Sequence, residues 1–541
     1  MKTHIVMLFV LIAVVGFLFR FVNIGINPPS LTWDEVAWGY SAYSLGIDGR
    51  DEFGRFLPHD YLESFGDFKP PVYAYLDVLP VKLFGLTEFA TRFPSALFGS
   101  LSVLVTFFLT RAIFYTNKKK DWLGLAAMGI LAVSPWHIML SRAAFEANVA
   151  TFFVMTGVWL FLEGVHGRKW LFFLSSASFI ASMYTFNSPR VVTPLLMGML
   201  TLLFWKNIKT KKIFVTSLLF AGLLLAPTIP FLLSPQAGLR FKEVNIFSDI
   251  NVIKTVNQEM AHDHNSLLTK VIHNRRLVFS VLYMQHYFDH FSPLYLFING
   301  DGNPKFSIQD VGQLYLWDIP FLVIGALFLF RKKEGHWWLV PLWLLIGIIP
   351  AATARETPHA LRTESMLPTV QILVAYGVVV ASEWIAQRKY RTLWVGVLSV
   401  LFVTNVFYFG YKLFVQYPRL TSDTWQYGYK DSIAYVQSVE KNYDAIMVTD
   451  YLGRPYIYYL FYLHMSPQQF RATSDVTRDA FSFVHVNRVG KYVFTPSAIP
   501  SGVNPGKVLY IESVTAVPKN AHILKTFYLV DKQPILVAYT L

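Results

Sequence analysis

The chain has 541 residues, 54% of them hydrophobic and 17% aromatic, with only 15% charged and no cysteine. Soluble domains carry about 25% charged residues, so this composition excludes an ordinary soluble domain, and the missing cysteine excludes disulfides, thiolate nucleophiles and Cys-bound metals. The formal charge of +13 lies in short clusters between apolar runs, a pattern that argues against a nucleic-acid surface and fits membrane topology determinants.

In chain order, Ile5–Val22 is an apolar run of spanning length whose Arg20 can snorkel to the interface. No small-residue cleavage site follows, so the run reads as an uncleaved first transmembrane helix. Residues 23–93 then form a long polar and aromatic loop, with an amphipathic piece from Pro71 to Phe84 expected at the membrane interface. Ten further spans are predicted near 94–115, 122–140, 146–163, 170–187, 191–205, 213–233, 311–330, 337–350, 365–384 and 392–412, about eleven in all. The clusters Lys118–Lys120, Arg168–Lys169, Lys206–Lys212, Arg331–Lys333 and Arg388–Arg391 all fall on one side. With the amino terminus inside, that side is cytoplasmic, as positive-inside topology requires. Regions 23–93, 141–146, 234–310 and 351–364 then face outward, with a short turn at 188–190. Leu277–Phe297 contains Gln285, His286, Asp289 and His290 and reads as an interfacial helix, because a span there would invert every later cluster.

Beyond about Phe414 no spanning run occurs. Helix-like Tyr429–Lys441, strand-like Ala445–Thr449 and Lys507–Ile511, and a closing hairpin Lys525–Tyr539 predict a small α/β domain. The expected division is therefore a polytopic α-helical membrane domain, 1–413, with outer loops 23–93 and 234–310, followed by an extracytoplasmic domain, 414–541.

The polar residues of the outer loops are the candidates for chemistry. Asp34 and Glu35 can act as general base, metal ligand or both, or cap a following helix. Trp33 and Trp38 favour an interfacial setting, where partial desolvation raises a carboxylate pKa. Lys69, stiffened by Pro70-Pro71, reads as a point-charge phosphate contact or a headgroup contact. Arg142 and Glu146 either pair along a helix, or Arg142 faces an anionic ligand while Glu146 joins Asp34 around a cation or an acceptor hydroxyl. Arg190 reads as a second phosphate contact or a snorkelling anchor. His359 and Arg362 share a helical face, and the arginine suits bidentate capture of phosphate or a lipid headgroup. Gly300–Pro304 reads as a tight turn from which Asp301 could reach the site. The His262-Asp263-His264 triplet is left outside the site as a solvated loop.

The order Trp33-Asp34-Glu35, Lys69-Pro70-Pro71 and Phe84-Gly85 through Thr87-Glu88-Phe89-Ala90-Thr91-Arg92-Phe93-Pro94 resembles the amino-terminal signature of C-type membrane glycosyltransferases. The branch is that of dolichyl-phosphate-mannose–protein mannosyltransferases, with which the bacterial aminoarabinose transferases group. The resemblance covers about residues 1–205, with weaker matches at Gly300–Asn303 and Pro358–Arg362. It implies transfer of a sugar from a polyprenyl-phosphate donor to a protein, glycan or lipid acceptor on the outer face of the cytoplasmic membrane. It also implies Asp34 as catalytic base, in some members beside a divalent metal cation, Lys69 at the donor phosphate, and Glu146 where relatives often carry Asp. Here Phe68 separates Asp67 from Lys69, whereas the family's lysine directly follows its acid. The competing class is a transporter or flippase of lipid-linked sugars. Such proteins place ionisable groups near the bilayer midplane and often show inverted repeats; here the notable charges map to outer loops and no repeat is visible.

Overall fold

The computed structural model describes residues 2–263, 267–479, 484–494 and 506–541, without the side chains of 239–243 and 267. A helix occupies each of the eleven expected spans. Six are long and apolar enough to cross a membrane: Thr3–Phe21, Glu88–Ile113, Glu146–Val165, Lys211–Leu232, Thr369–Ala386 and Arg391–Leu420. A seventh results if Lys120–Val133 and Pro135–Arg142, bent by 54°, are one span. Pro135 has no N–H to continue the helical ladder, and the bend falls where the bond is lost. Leu171–Met183, Pro189–Phe204 and Leu339–Thr353 are apolar but shorter, and Asp318–Lys332 fills the remaining expected span.

The chain packs as two compact units whose bounds differ from the expected division at 413/414. One comprises 1–19, 98–140 and 146–409; the other comprises 20–97, 141–145 and 410–541.

The first unit is the helix bundle, with a core that includes Phe107, Met128, Leu131 and Trp343. Lipid gives apolar helices no hydrophobic reason to associate, so close backbone approach through small residues must hold them. Asp318–Lys332 and Thr369–Ala386 meet in this way. A Cβ added at Gly325 would lie 1.9 Å from the Leu373 carbonyl oxygen, and one at Gly377 would lie 1.9 Å from that of Phe321. Arg275–Asp289, expected at the interface, is a single helix capped by the Asn274 side chain.

The second unit joins the first outer loop to the carboxy-terminal α/β region. Strands β1 (Leu62–Ser64) and β2 (Asp67–Lys69) form a hairpin. The larger sheet has β3 (Ala445–Val448), β4 (Ser474–Arg478), β5 (Val484–Val489), β6 (Tyr492–Val493), β7 (Val508–Ser513), β8 (His522–Tyr528) and β9 (Pro534–Thr540). Its order is β4-β5-β6-β3-β7-β9-β8, with β3 parallel to both β6 and β7. The expected closing hairpin is β8–β9. The loop helix Trp33–Asp48 shares one core with this domain: Leu31, Val36 and Tyr40 cluster with Ile457, Leu460 and Leu509. The Tyr458 hydroxyl donates to the Leu31 carbonyl at 3.0 Å. The first outer loop is thus anchored by tertiary packing, not left as a free connector.

The Gly325 contact generates a prediction. Gly325→Leu cannot be accommodated without parting two helices, and should lower the unfolding temperature of the detergent-solubilised protein by many degrees. Gly198→Leu, where an added Cβ meets nothing within 4 Å, should be nearly silent in the same measurement.

Candidate active site

The second unit's site is built at the start of Trp33–Asp48. Thr32 caps this helix: its hydroxyl accepts from Glu35 N at 3.3 Å, and its own N–H donates to Glu35 Oε2 at 2.9 Å. This reciprocal capping box satisfies donors that a helix start leaves orphaned. It also places Asp34 and Glu35 in the first turn, where the helix dipole favours negative charge. The two neighbouring acids then diverge completely in environment.

Glu35 is fully buried and saturated. Oε1 accepts from Arg92 Nε at 2.8 Å and from Ala144 N at 2.9 Å, while Oε2 takes Thr32 N at 2.9 Å and Arg92 Nη2 at 3.3 Å. Arg92, also fully buried, donates further to the carbonyls of Ile24 at 3.0 Å and Pro28 at 2.8 Å, and to that of Ser30. One ion pair therefore ties the loop's start, its helix and the 141–145 turn together. Asp34 instead has a side chain 51% exposed and pairs with Lys69, whose side chain is only 9% exposed.

Lys69 is placed by the hairpin. Phe65 and Gly66 both take positive φ, 59° and 80°, as a two-residue primed turn requires, and β2 ends on the lysine. Its ammonium lies 5.2 Å from the Trp38 ring centroid and 5.7 Å from that of Phe65, so aromatic faces stabilise the buried charge. Behind it, Glu52 is buried and its carboxyl is pushed up to about 8. Burial is the main cause, Asp51 and Glu63 add to it, and the Tyr456 hydroxyl and Lys69 oppose it.

Arg142 closes the Pro135–Arg142 helix and is fully buried. Nη2 donates to the carbonyls of Val22 at 2.9 Å and Asn27 at 2.7 Å, and the guanidinium lies 4.9 Å from the Phe414 ring centroid. Burial first, then the charge of Arg92, lowers its pKa to about 9. Glu146 does not continue that helix; it opens the next one, Glu146–Val165.

The first unit carries the remaining candidates. His359, Asp301, Asp289, Glu356, Arg355 and Phe306 line a polar cavity of about 720 Å³. Asp301 is held by backbone donors, from Ala360 at 2.6 Å and Asn303 at 2.8 Å, yet burial still raises its carboxyl to about 6. Asp289 accepts from the Thr357 hydroxyl at 2.8 Å. The His359 N–H donates to His290 Nε2 at 3.1 Å, and its ring stacks on Phe306 at 5.1 Å. Burial, then Arg362 and His290, holds the His359 imidazole well below the usual histidine range, so it is neutral. Arg362 lies in the short helix Ala360–Thr363, the helical setting expected for it. Arg190 is half-buried, donates to the Met183 carbonyl at 3.3 Å and lies 5.8 Å from the Phe231 ring centroid. Among the described residues no group of three His, Cys, Asp or Glu is set to hold a metal. His264 lies outside the described residues, while Asp263 pairs with His273 at 3.0 Å.

Arg92, Glu52 and Asp289 were given no role from sequence. The available signal for Arg92 is a cation near the start of a membrane-length helix whose other charges, Glu88 and Arg111, lie in its first and last turns. Nothing local distinguishes Glu52 from other loop acids, and Asp289 stands out only as one of the polar residues that mark Leu277–Phe297 as interfacial.

Residues 10–233 match the sequence model of the dolichyl-phosphate-mannose-protein mannosyltransferase family. No curated protein matches the chain. Among solved structures, ArnT from Cupriavidus metallidurans in the apo state aligns with a TM-score of 0.54 at 15% identity, over 98% of this chain and 97% of that one. The Archaeoglobus fulgidus oligosaccharyltransferase, tethered to an acceptor peptide containing the NVT sequon, aligns with a TM-score of 0.52 at 12% identity, over 86% and 63%. The same protein in complex with Zn and sulfate aligns at 0.50 and 12% identity, over 84% and 61%. The fold is the one seen in C-type membrane glycosyltransferases, and the chain is a multi-pass membrane protein. Over residues 10–233 it is similar to the dolichyl-phosphate-mannose-protein mannosyltransferases.

Two predictions come from these geometries. Glu35→Gln leaves Arg92 buried without a counter-charge and should cost roughly 3–5 kcal/mol in denaturant unfolding. Glu52 has a folded pKa raised above its ordinary value of 4.5 to about 8. Its stabilising contribution is complete below the lower value and is lost as pH rises through the upper one. Glu52→Gln should therefore unfold at a higher temperature than wild type at pH 9, with the difference closing by pH 5.

Proposed function

We propose that this protein is a polyprenyl-phosphate-sugar-dependent glycosyltransferase acting on the outer face of the cytoplasmic membrane, with Asp34 as the base. The observation that carries this reading is the Asp34–Lys69 pair, which sets an exposed carboxylate against a shielded ammonium. The match to a family named for a lipid-phosphate sugar donor supports the substrate class.

In the proposed step the acceptor hydroxyl gives its proton to Asp34 while its oxygen attacks the anomeric carbon. The bond from that carbon to the phosphate oxygen breaks, its electron pair stays on the polyprenyl phosphate, and the configuration inverts. Lys69 offsets the developing phosphate charge, the kind of electrostatic contribution that dominates such transfers. A phosphate arriving at Lys69 also divides that charge between two anions, which raises the proton affinity of Asp34 when a base is needed.

Glu35 and Arg142, both buried and spent on other partners, act in this scheme as positioning groups. Arg362 and Arg190 are assigned to donor phosphate binding, and neutral His359 to a hydrogen bond rather than a charge. The acceptor is a protein, glycan or lipid hydroxyl. Hard divalent cations need only one or two carboxylates beside substrate phosphates. The protein oxygens we assign to such a cation are those of Asp34; when bound it would neutralise phosphate charge.

The test uses purified protein and a panel of polyprenyl-phosphate sugars. One donor should protect against thermal unfolding, and Lys69→Ala should lose that protection. Asp34→Asn should keep it while transfer falls by about 10²–10⁴-fold. Unchanged transfer in Asp34→Asn, or a covalent glycosyl-enzyme, would overturn the mechanism; movement of lipid-linked sugar without transfer would favour a flippase.

A further inference from the structure

Within the helix bundle, an apolar cavity of about 770 Å³ lies between Lys120–Val133, Asp318–Lys332, Thr369–Ala386 and Arg391–Tyr411. The last helix has only Phe409 buried. It leans on the bundle through Trp317, whose indole N–H donates to the Leu398 carbonyl at 3.0 Å and whose ring lies 4.9 Å from that of Phe402. Along this helix the cavity wall runs from Arg391 through Val395 and Leu398 to Phe402, one stripe at helical spacing. Eleven residues of rise span roughly 17 Å, close to one leaflet of a hydrocarbon core of about 30 Å.

Chemistry is graded along that length. The deep end is walled by Trp317, Phe321 and Phe402, whereas the shallow end carries Arg391 beside exposed Arg388 and Lys389. Glu383, on the neighbouring helix, is already engaged by Lys119 at 3.1 Å and Lys332 at 3.5 Å. Among the described residues, no acid pairs with Arg391 and none lines the cavity. An apolar void does not hold water stably, and a basic cluster beside a membrane-embedded cavity attracts anionic headgroups.

We propose that this cavity is a binding site for one anionic phospholipid. An acyl chain fills the space beneath Trp317 and Phe402, and the headgroup phosphate rests on Arg391, Arg388 and Lys389. A lipid of leaflet depth fits the length, and the excess of positive charge selects an anionic headgroup over a zwitterionic one. The absence of any acid in the lining distinguishes this place from a transfer site, so the lipid is structural, pinning the Arg391–Tyr411 helix to the bundle. The inference is independent of the proposed reaction.

The test uses the full chain in mild detergent, with native mass spectrometry to read retained lipid and thermal unfolding to read stabilisation. Phosphatidylglycerol should bind at one molecule per chain and raise the unfolding temperature by several degrees more than phosphatidylcholine. Combined Arg388→Ala, Lys389→Ala and Arg391→Ala should weaken phosphatidylglycerol binding by roughly fivefold per cation removed. Ser399→Trp fills the cavity from an exposed position and should abolish retention in a protein that circular dichroism shows to be folded. Equal stabilisation by both lipids, retention unaffected by both variants, or a polyprenyl phosphate as the retained lipid would each overturn the proposal.

Discussion

The buried pair of Glu35 and Arg92 holds the second unit's site in place. Two opposite charges at zero exposure are costly to desolvate, and their attraction offsets that cost only when every lone pair and N–H is also satisfied. Here the carboxylate has four donors and the guanidinium reaches three backbone carbonyls. Those carbonyls belong to the irregular stretch after the first helix, which has no ladder of its own. Arg92 takes the place of secondary structure there.

That arrangement leaves Asp34 on the exposed side of the same turn, paired with Lys69. A residue at the start of a helix whose cap and neighbour are fixed has little backbone freedom, so its carboxylate points reproducibly outward. Lys69 reaches it from a hairpin whose tight turn sets the register by one residue pair. The pair combines one shielded and one exposed partner. Arg142 contributes indirectly: its fully buried guanidinium holds the Val22 and Asn27 carbonyls.

The polar cavity of the first unit shows a different electrostatic design. His290 and His359 are both pushed toward neutrality by burial, while Asp301 is retained by two backbone donors despite its desolvation. Arg355 and Glu356 also line the cavity, so charges of both signs stand beside the neutral imidazole of His359. The bundle around it combines close glycine contacts with a few ion pairs such as those of Glu383, as expected where lipid removes the hydrophobic driving force.

The sequence by itself determined the element plan. Runs of apolar residues with basic punctuation predict the eleven bundle helices, though not helices such as Ile250–His262 or Pro455–Tyr462, and alternation near 445–449, 507–511 and 525–539 predicts three parts of the larger sheet. It also singled out Asp34 and Lys69, because both sit in a loop too polar for its surroundings. Local pattern could not decide which of two adjacent acids is buried. That depends on Arg92, 57 residues away, and on the Ala144 amide, 109 residues away. Nor could it show that the first outer loop shares a core with the carboxy-terminal domain, because helix Trp33–Asp48 has apolar residues whose partners lie some 400 residues later. Periodicity fixes which face of an element is apolar; only tertiary packing decides what that face meets, and so which of the two carboxylates is buried and which is exposed.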